Sequence, residues 1–192
     1  MVMDRRAATA ALLRDRGDLL VVSGLGSPSY DVHAAGDCEA NFYLWGAMGG
    51  AALMGLGLAQ AQPGRPVLVV TGDGEQLMGL GGLATIAVAR PARLTVAVLD
   101  NHHFGETGLQ RSHTGHGVDL AAVGAACGIA TVSTARTLAE VEQMRRAMHE
   151  GAGGPRLFVL KVAAETVPRS LPVRDAVYLK NRFRGALGLG PS

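Results

Sequence analysis

Aromatic side chains are scarce in this 192-residue chain, with one Trp, three Tyr and four Phe making up 4% of it, and charged residues reach only 18%. Its core must therefore be assembled from Ala, Val, Leu and Gly, and a hydrophobic content of 48% supplies enough for one full domain. Charge of one sign is also lacking. The net charge is +2 with no Lys/Arg run, which excludes a nucleic-acid surface read from charge. Cys38 and Cys127 are the only cysteines. They have no metal-type spacing and form no disulfide framework, so a reduced, cytoplasmic protein is expected. Long apolar runs are missing too. The stretch Gly46 to Ala61 is mostly Gly and Ala and falls short of the ~20 residues a bilayer requires. The first eighteen residues pattern as an amphipathic helix without a signal peptide's apolar centre. Neither a membrane span nor secretion is expected.

Glycine, by contrast, is abundant. The chain has twenty-seven, about twice the usual share of roughly 7%, which points to tight turns and close backbone approaches. Apolar runs that read as buried strands occur at Leu19 to Val22, Pro66 to Thr71, Leu94 to Leu99, Ile129 to Val132 and Leu157 to Val162. Helical patterns lie between them, over 46–62, 77–89, 118–126 and 137–149. Thr137 with Glu140 has capping-box spacing. Continuous apolar strands alternating with helices predict an α/β fold, a parallel sheet with helices on both faces in three layers. The expected division is an α/β domain over 1–166 and a basic arm or final helix over 167–192, packed on the domain or on a partner.

In such sheets ligands bind beyond the carboxyl ends of the strands. Two strand ends carry chemistry, Gly72-Asp73-Gly74-Glu75 and Asp100-Asn101, with 26 residues between Gly74 and Asn101. That interval holds one helix and one strand, so both ends fall side by side on one edge. A carboxylate beside a carboxamide offers hard oxygen ligands suited to Mg²⁺, and a diphosphate would complete the coordination. Glycines flanking the aspartate let backbone N–H groups approach phosphate oxygens. Glu75 reads as a helix-start acid favoured by the dipole, its N–H mattering more than its carboxylate. Ser23-Gly24-Leu25-Gly26 hints at a dinucleotide fingerprint, but the third glycine is absent and no helix is expected to open there. His102, His103, His113 and His116 invite a zinc reading, yet loop histidines without converging partners stay solvated.

The GDG and Asn pair resembles the signature of the thiamine-diphosphate enzymes. The resemblance implies Mg²⁺ ligation by Asp73, Asn101 and the main-chain carbonyl of His103. It implies a bond from the aminopyrimidine to the Gly46 carbonyl in Gly46-Ala47-Met48, with Met48 propping the cofactor into its bent shape. Further cofactor contacts are implied at Gly72, Gly74, Glu75, Phe104 and Gly105, and at Gly26 and Ser29 of the first loop. Asn41-Phe42-Tyr43 before Gly46, residues Gly82 to Ala87, Thr107-Gly108 with Gln110, and Lys180-Asn181-Arg182-Phe183 are similar to one branch. That branch comprises the sulfopyruvate decarboxylase β subunits and the phosphonopyruvate decarboxylases. The chain departs from it at His102 to Glu106 and at Arg111-Ser112-His113, near the reaction centre.

The resemblance implies decarboxylation of a small anionic 2-oxo acid, with sulfopyruvate the leading candidate and sulfoacetaldehyde plus CO₂ the products. A phosphonopyruvate decarboxylase, a carboligase of the acetolactate-synthase type, and a non-catalytic cofactor-binding homologue are the alternatives. In the family a glutamate on a separate pyrimidine-binding domain activates the cofactor, and no acid of this chain sits in such a motif. An α subunit carrying that domain is therefore the expected partner. Arg111 is the candidate for holding the substrate's distal anion, and His102 or His113 for donating a proton.

Overall fold

A computed structural model of the chain describes residues 2–151 and 153–190. Met1, Ala152, Pro191 and Ser192, which belong to the two expected units, lie outside the described residues. Six parallel strands form one sheet in the order β2-β1-β3-β4-β8-β7. They are β1 (Leu20–Ser23), β2 (Asn41–Tyr43), β3 (Val67–Gly72), β4 (Leu94–Asp100), β7 (Thr131–Ala135) and β8 (Arg156–Lys161). A two-stranded antiparallel hairpin, β5 (His103–Phe104) with β6 (Gln110–Arg111), stands beyond the end of β4.

Alternate residues of the central strands point into two separate cores, as the two-residue period of a strand requires. Leu68, Val70, Ala97 and Leu99 join one core with α1 (Arg5–Leu13), α2 (Ser27–Ala34) and α7 (Leu138–His149). Val67, Val69, Val96 and Val98 join the other with α3 (Ala51–Ala61), α5 (Gly81–Ala89) and α6 (Leu120–Ala126). The sheet is covered on both faces, which bears out the three-layer α/β expectation. Each fully buried Val or Leu contributes about 1.5–3 kcal/mol, so the uninterrupted apolar runs of β3 and β4 anchor the fold.

Three elements differ from expectation. A helix does open after the first strand: α2 begins at Ser27, with Pro28 in its first turn. Five of its eight residues, Pro28 to Val32, are buried, so no amphipathic stripe marks it in sequence. The helix expected over 46–62 starts only at Ala51, because Gly46 (φ 75°) and Gly49 (φ 85°) take left-handed backbone. The helix expected from 77 is two helices, α4 (Asp73–Met78) and α5, broken at Gly79. A Cβ on Gly79 would collide with the Gly49 carbonyl, which fixes the break against the 46–50 loop. The Thr137/Glu140 capping box is present. In the 167–190 segment, α8 (Ala176–Ala186) packs on β2, with Phe183 edge-on to Phe42 and Arg182 paired to Asp37 at 2.7 Å.

β2 lies on one side of β1 and β3 on the other, so the chain reverses direction across the sheet at β1/β3. The loops leaving those two strands therefore diverge and open a crevice, the usual ligand position in such sheets.

Candidate active site

Loops beyond the carboxyl ends of β1, β3 and β4 enclose a cavity of about 790 Å³, counting the space open to solvent. Of the residues expected to hold the cofactor, Met48, Gly72, Asp73, Gly74, Glu75, Asn101, His103, Phe104 and Gly105 line it. Three others do not. Gly26 caps α2, and a side chain there would press on Glu106 at 2.8 Å. Gly46 lies in the exposed turn before Met48. Ser29 is fully buried, its Oγ donating to the Gly24 carbonyl at 2.7 Å and lying 2.8 Å from Ser23 Oγ. Ser29 braces the first loop, and Ser27 and Pro28 line the cavity instead.

Asp73 follows β3 directly and opens α4, with 2% of its surface exposed. Burial pushes its carboxyl pKa up and the nearby Asp100 adds to the rise, while Ser112, Thr114 and the Gly74 N–H oppose it. Ser112 Oγ and Thr114 Oγ1 both donate to Asp73 Oδ2, the latter at 2.9 Å. Thr114 Oγ1 also lies 2.7 Å from Asp100 Oδ1. These hydroxyls occupy one carboxylate oxygen and leave the other for a cation. Asp100 is fully buried and is held by Lys161 Nζ at Oδ2. Asn101 Oδ1 accepts the His103 N–H at 2.9 Å, and its main-chain carbonyl faces His103 Nδ1 at 2.8 Å. A carboxamide oxygen has two lone pairs, so this turn still leaves Asn101 one for a metal.

Oxygen donors of this kind, one carboxylate and one carboxamide beside a cavity, fit Mg²⁺ chemistry. Gly74 has the Phe104 ring where a side chain would be, so only glycine keeps both in place.

Glu75 departs from expectation. Its carboxylate, and not only its N–H, is built into the site. The group is 5% exposed and Oε2 accepts the Thr71 hydroxyl at 2.9 Å. Burial raises its pKa, opposed by Thr71 and by the backbone amides of Leu25, Gly49 and Ala51, while Oε1 lacks a well-aligned bond of its own. One carboxyl thus joins the first loop, the 46–50 loop and β3. A Cβ on Gly24 would overlap Glu75 Oε2. We expect Gly24→Ala to destabilise the fold by about 1–3 kcal/mol, as overpacking a tight interior does. A melting temperature equal to that of the parent would show that Glu75 moves aside freely.

The remaining candidates lie on the loop beyond β4. His102 has φ 64° and its Nδ1 lies 3.4 Å from Asp100 Oδ1. His113 stands edge-on to Phe104, with ring centroids 6.3 Å apart. Arg111 is exposed on β6 opposite His103. None of these three side chains lines the cavity. Among the described residues no three His, Cys, Asp or Glu side chains gather as a metal-type cluster. No helix among them is long and apolar enough to cross a membrane. Sequence reasoning missed Ser27, Ser112, Thr114 and Lys161. Lys161 alone left a signal, a charge ending an apolar strand.

The family model described as "Thiamine pyrophosphate enzyme, C-terminal TPP binding domain" matches residues 30–162. The chain belongs to this family. The sulfopyruvate decarboxylase subunit beta of Methanocaldococcus jannaschii is 39% identical over 173 residues, 88% of either chain. The phosphonopyruvate decarboxylase of Streptomyces viridochromogenes is 45% identical over 180 residues, 91% of this chain but 44% of that protein. The solved benzoylformate decarboxylase of Polynucleobacter necessarius superposes with a TM-score of 0.67 at 21% identity, over 85% of this chain and 34% of that one. The chain thus spans most of the archaeal β subunit, less than half of the phosphonopyruvate enzyme and about a third of the solved one. Its fold is that of the thiamine-diphosphate-binding module.

Proposed function

We propose that this chain is the Mg²⁺- and diphosphate-binding subunit of a two-subunit thiamine-diphosphate decarboxylase acting on a small anionic 2-oxo acid, with sulfopyruvate the leading candidate. The observation that carries the reading is the placement of Asp73 and Asn101 on adjacent strand ends over one cavity, with Oδ2 of Asp73 already engaged by hydroxyls. Similarity to archaeal sulfopyruvate decarboxylase β subunits over nearly the whole chain supports the substrate class.

In this reading Asp73, Asn101 and the His103 carbonyl hold Mg²⁺, Met48 supports the bent cofactor, and backbone N–H groups beside Asp73 meet the diphosphate. Thiamine diphosphate, when bound, supplies the nucleophilic carbon and takes up the electron pair of the breaking bond. The bond between the keto carbon and the carboxylate breaks, CO₂ leaves, and the former keto carbon takes a proton to give an aldehyde.

The separate subunit finds support in the surface beside the cavity. Met48, Leu53, Met54 and Met78 are each 38–64% exposed. The Met48 loop and the Met78–Gly79 turn touch through Gly49, and Leu53 lies beside Gly82 just past that turn, so exposed apolar side chains border the Met48 side of the cavity. A pyrimidine-binding partner seated there would bring its glutamate to the site.

The substrate assignment is tested with Arg111. Its guanidinium keeps its charge and presents a planar donor fork suited to a sulfonate or phosphonate. In the assembled enzyme, Arg111→Met is expected to lower kcat/KM for sulfopyruvate and phosphonopyruvate by roughly 10- to 100-fold, the worth of a charge-assisted bond, and to spare pyruvate. An equal loss on all three acids would assign Arg111 to the hairpin or the interface, and would remove this support for a dianionic substrate.

A further inference from the structure

Arg5 is an arginine in an unusual place. It stands in the first turn of α1, where the helix dipole disfavours a cation, and its side chain is only 8% exposed. Its counter-charge is Asp31, fully buried on α2, but Asp31 is shared. Arg6 Nε bonds Asp31 Oδ1 at 3.2 Å, and Arg5 Nε approaches Oδ2 at 3.3 Å without a well-aligned hydrogen bond. Arg6 is further tied to the Pro168 carbonyl at 2.8 Å. Two guanidiniums thus face one buried carboxylate, and the next acid acting on it is the exposed Asp4. Arg5 is the more buried of the two and the less well bonded, which leaves its guanidinium hydrogen-bonding capacity to spare.

Arg5 faces the cavity. Arg5 lines the candidate active site and also the smaller chamber beyond it, between Ser27 and Asn101. Apart from His103, it is the one basic side chain among the residues lining the main cavity, against Asp73, Glu75 and Glu106. The nearest acids of the smaller chamber are Glu106 and Glu165, and Glu106 is paired with Arg169 at 3.0 Å. A diphosphate ester carries more negative charge than one divalent cation offsets, and more still beside Asp73.

The geometry points to Arg5 as the residue that receives the terminal phosphate of the bound diphosphate. This rests on the cofactor reading above and extends it to a residue outside the matched 30–162 region. The order along the sheet edge supports that end of the ligand. Met48 follows β2, Asp73 follows β3 and Asn101 follows β4. Arg5 follows Met3, which bridges Val162 just past β8, and its side chain reaches from there past Asn101 toward Asp31 on α2. With Met48 under the ring system and the metal in the middle, the terminal phosphate falls to Arg5.

Calorimetric titration of the full chain with thiamine diphosphate and with thiamine monophosphate, both with Mg²⁺, tests this. Arg5→Met is expected to raise Kd for the diphosphate by roughly 10- to 100-fold and to leave the monophosphate nearly unchanged, with Arg5→Lys in between. Arg5→Met strands part of the Asp31 charge, so the double variant Arg5→Met/Asp31→Asn serves if the single one fails to fold. Should that fail as well, Arg5→Lys decides by its preference for diphosphate over monophosphate. Reduced preference upholds the assignment, and parental preference overturns it. Equal weakening of both esters, or parental diphosphate affinity in a folded Met variant, also overturns it. Intact cofactor binding with lost turnover of an anionic 2-oxo acid would assign Arg5 to the substrate and likewise overturn it. A parent chain that binds neither thiamine diphosphate nor inorganic diphosphate would instead sink the cofactor reading itself.

Discussion

Replacing Asp73 with alanine should abolish Mg²⁺-dependent binding of thiamine diphosphate, a loss expected to exceed 100-fold in affinity. The variant removes the charged ligand and leaves the Ser112 and Thr114 hydroxyls without their shared acceptor. Outer groups that merely hold a metal ligand cost about 10- to 100-fold when removed, so the ligand itself must cost more. Ser112→Ala, which keeps the carboxylate and loosens Oδ2, is expected within that smaller range. Asn101→Ala should fall between the two, since it deletes a neutral ligand. Calorimetry returning the parental affinity for Asp73→Ala would refute the metal site. A ranking with Ser112→Ala as the most damaging would mean that the hydroxyls, and not Asp73, organise the pocket.

The second large effect concerns assembly. The purified chain is expected to show negligible decarboxylase activity and to gain it when mixed with a pyrimidine-binding subunit. The base that activates the cofactor is expected on that subunit, and a positioned acid–base group contributes about 100- to 10,000-fold. Mixing should therefore raise CO₂ release by at least that factor, saturating at a fixed subunit ratio. Turnover by this chain alone, with mass spectrometry finding a single polypeptide, would rule out a shared site. Charged substitutions at Met54 or Met78 offer a complementary probe. Neither side chain lines the cavity, so these changes should block the gain on mixing while leaving cofactor affinity intact.

The central strands were readable because continuous Val/Leu runs are what a sheet buried on both faces demands, and because β3 and β4 stop at polar residues. For the same reason Asp73 and Asn101 could be paired from sequence, since one helix and one strand between them fix neighbouring positions on one edge. The family match bears out the resemblance those residues carry. α2 was not readable. Pro28 suggests a turn, and the helix is buried around most of its girth, so neither period nor polarity marks it. Ser112 and Thr114 were not readable either, because their contact with Asp73 depends on a loop folding back across about 40 residues of chain. Glu75 looked like a surface helix-start acid until the turns around Gly24 and Gly49 closed over it.

The position of β1 bears on where this domain can be cut. The family match begins at residue 30, inside α2, yet β1 at Leu20–Ser23 is the strand between β2 and β3. A fragment trimmed to the matched boundary would turn β3 into a raw edge and leave β2 with no neighbour to pair with. Such edges seek other chains. It would also delete Met3, whose carbonyl accepts the Ala163 N–H at 2.9 Å and so extends pairing past the end of β8. Sequence similarity and the folding unit therefore have different borders here. Truncation at the similarity border is expected to give aggregates, while a fragment retaining residues 2–190 keeps β1 between β2 and β3 and keeps the Met3 bridge.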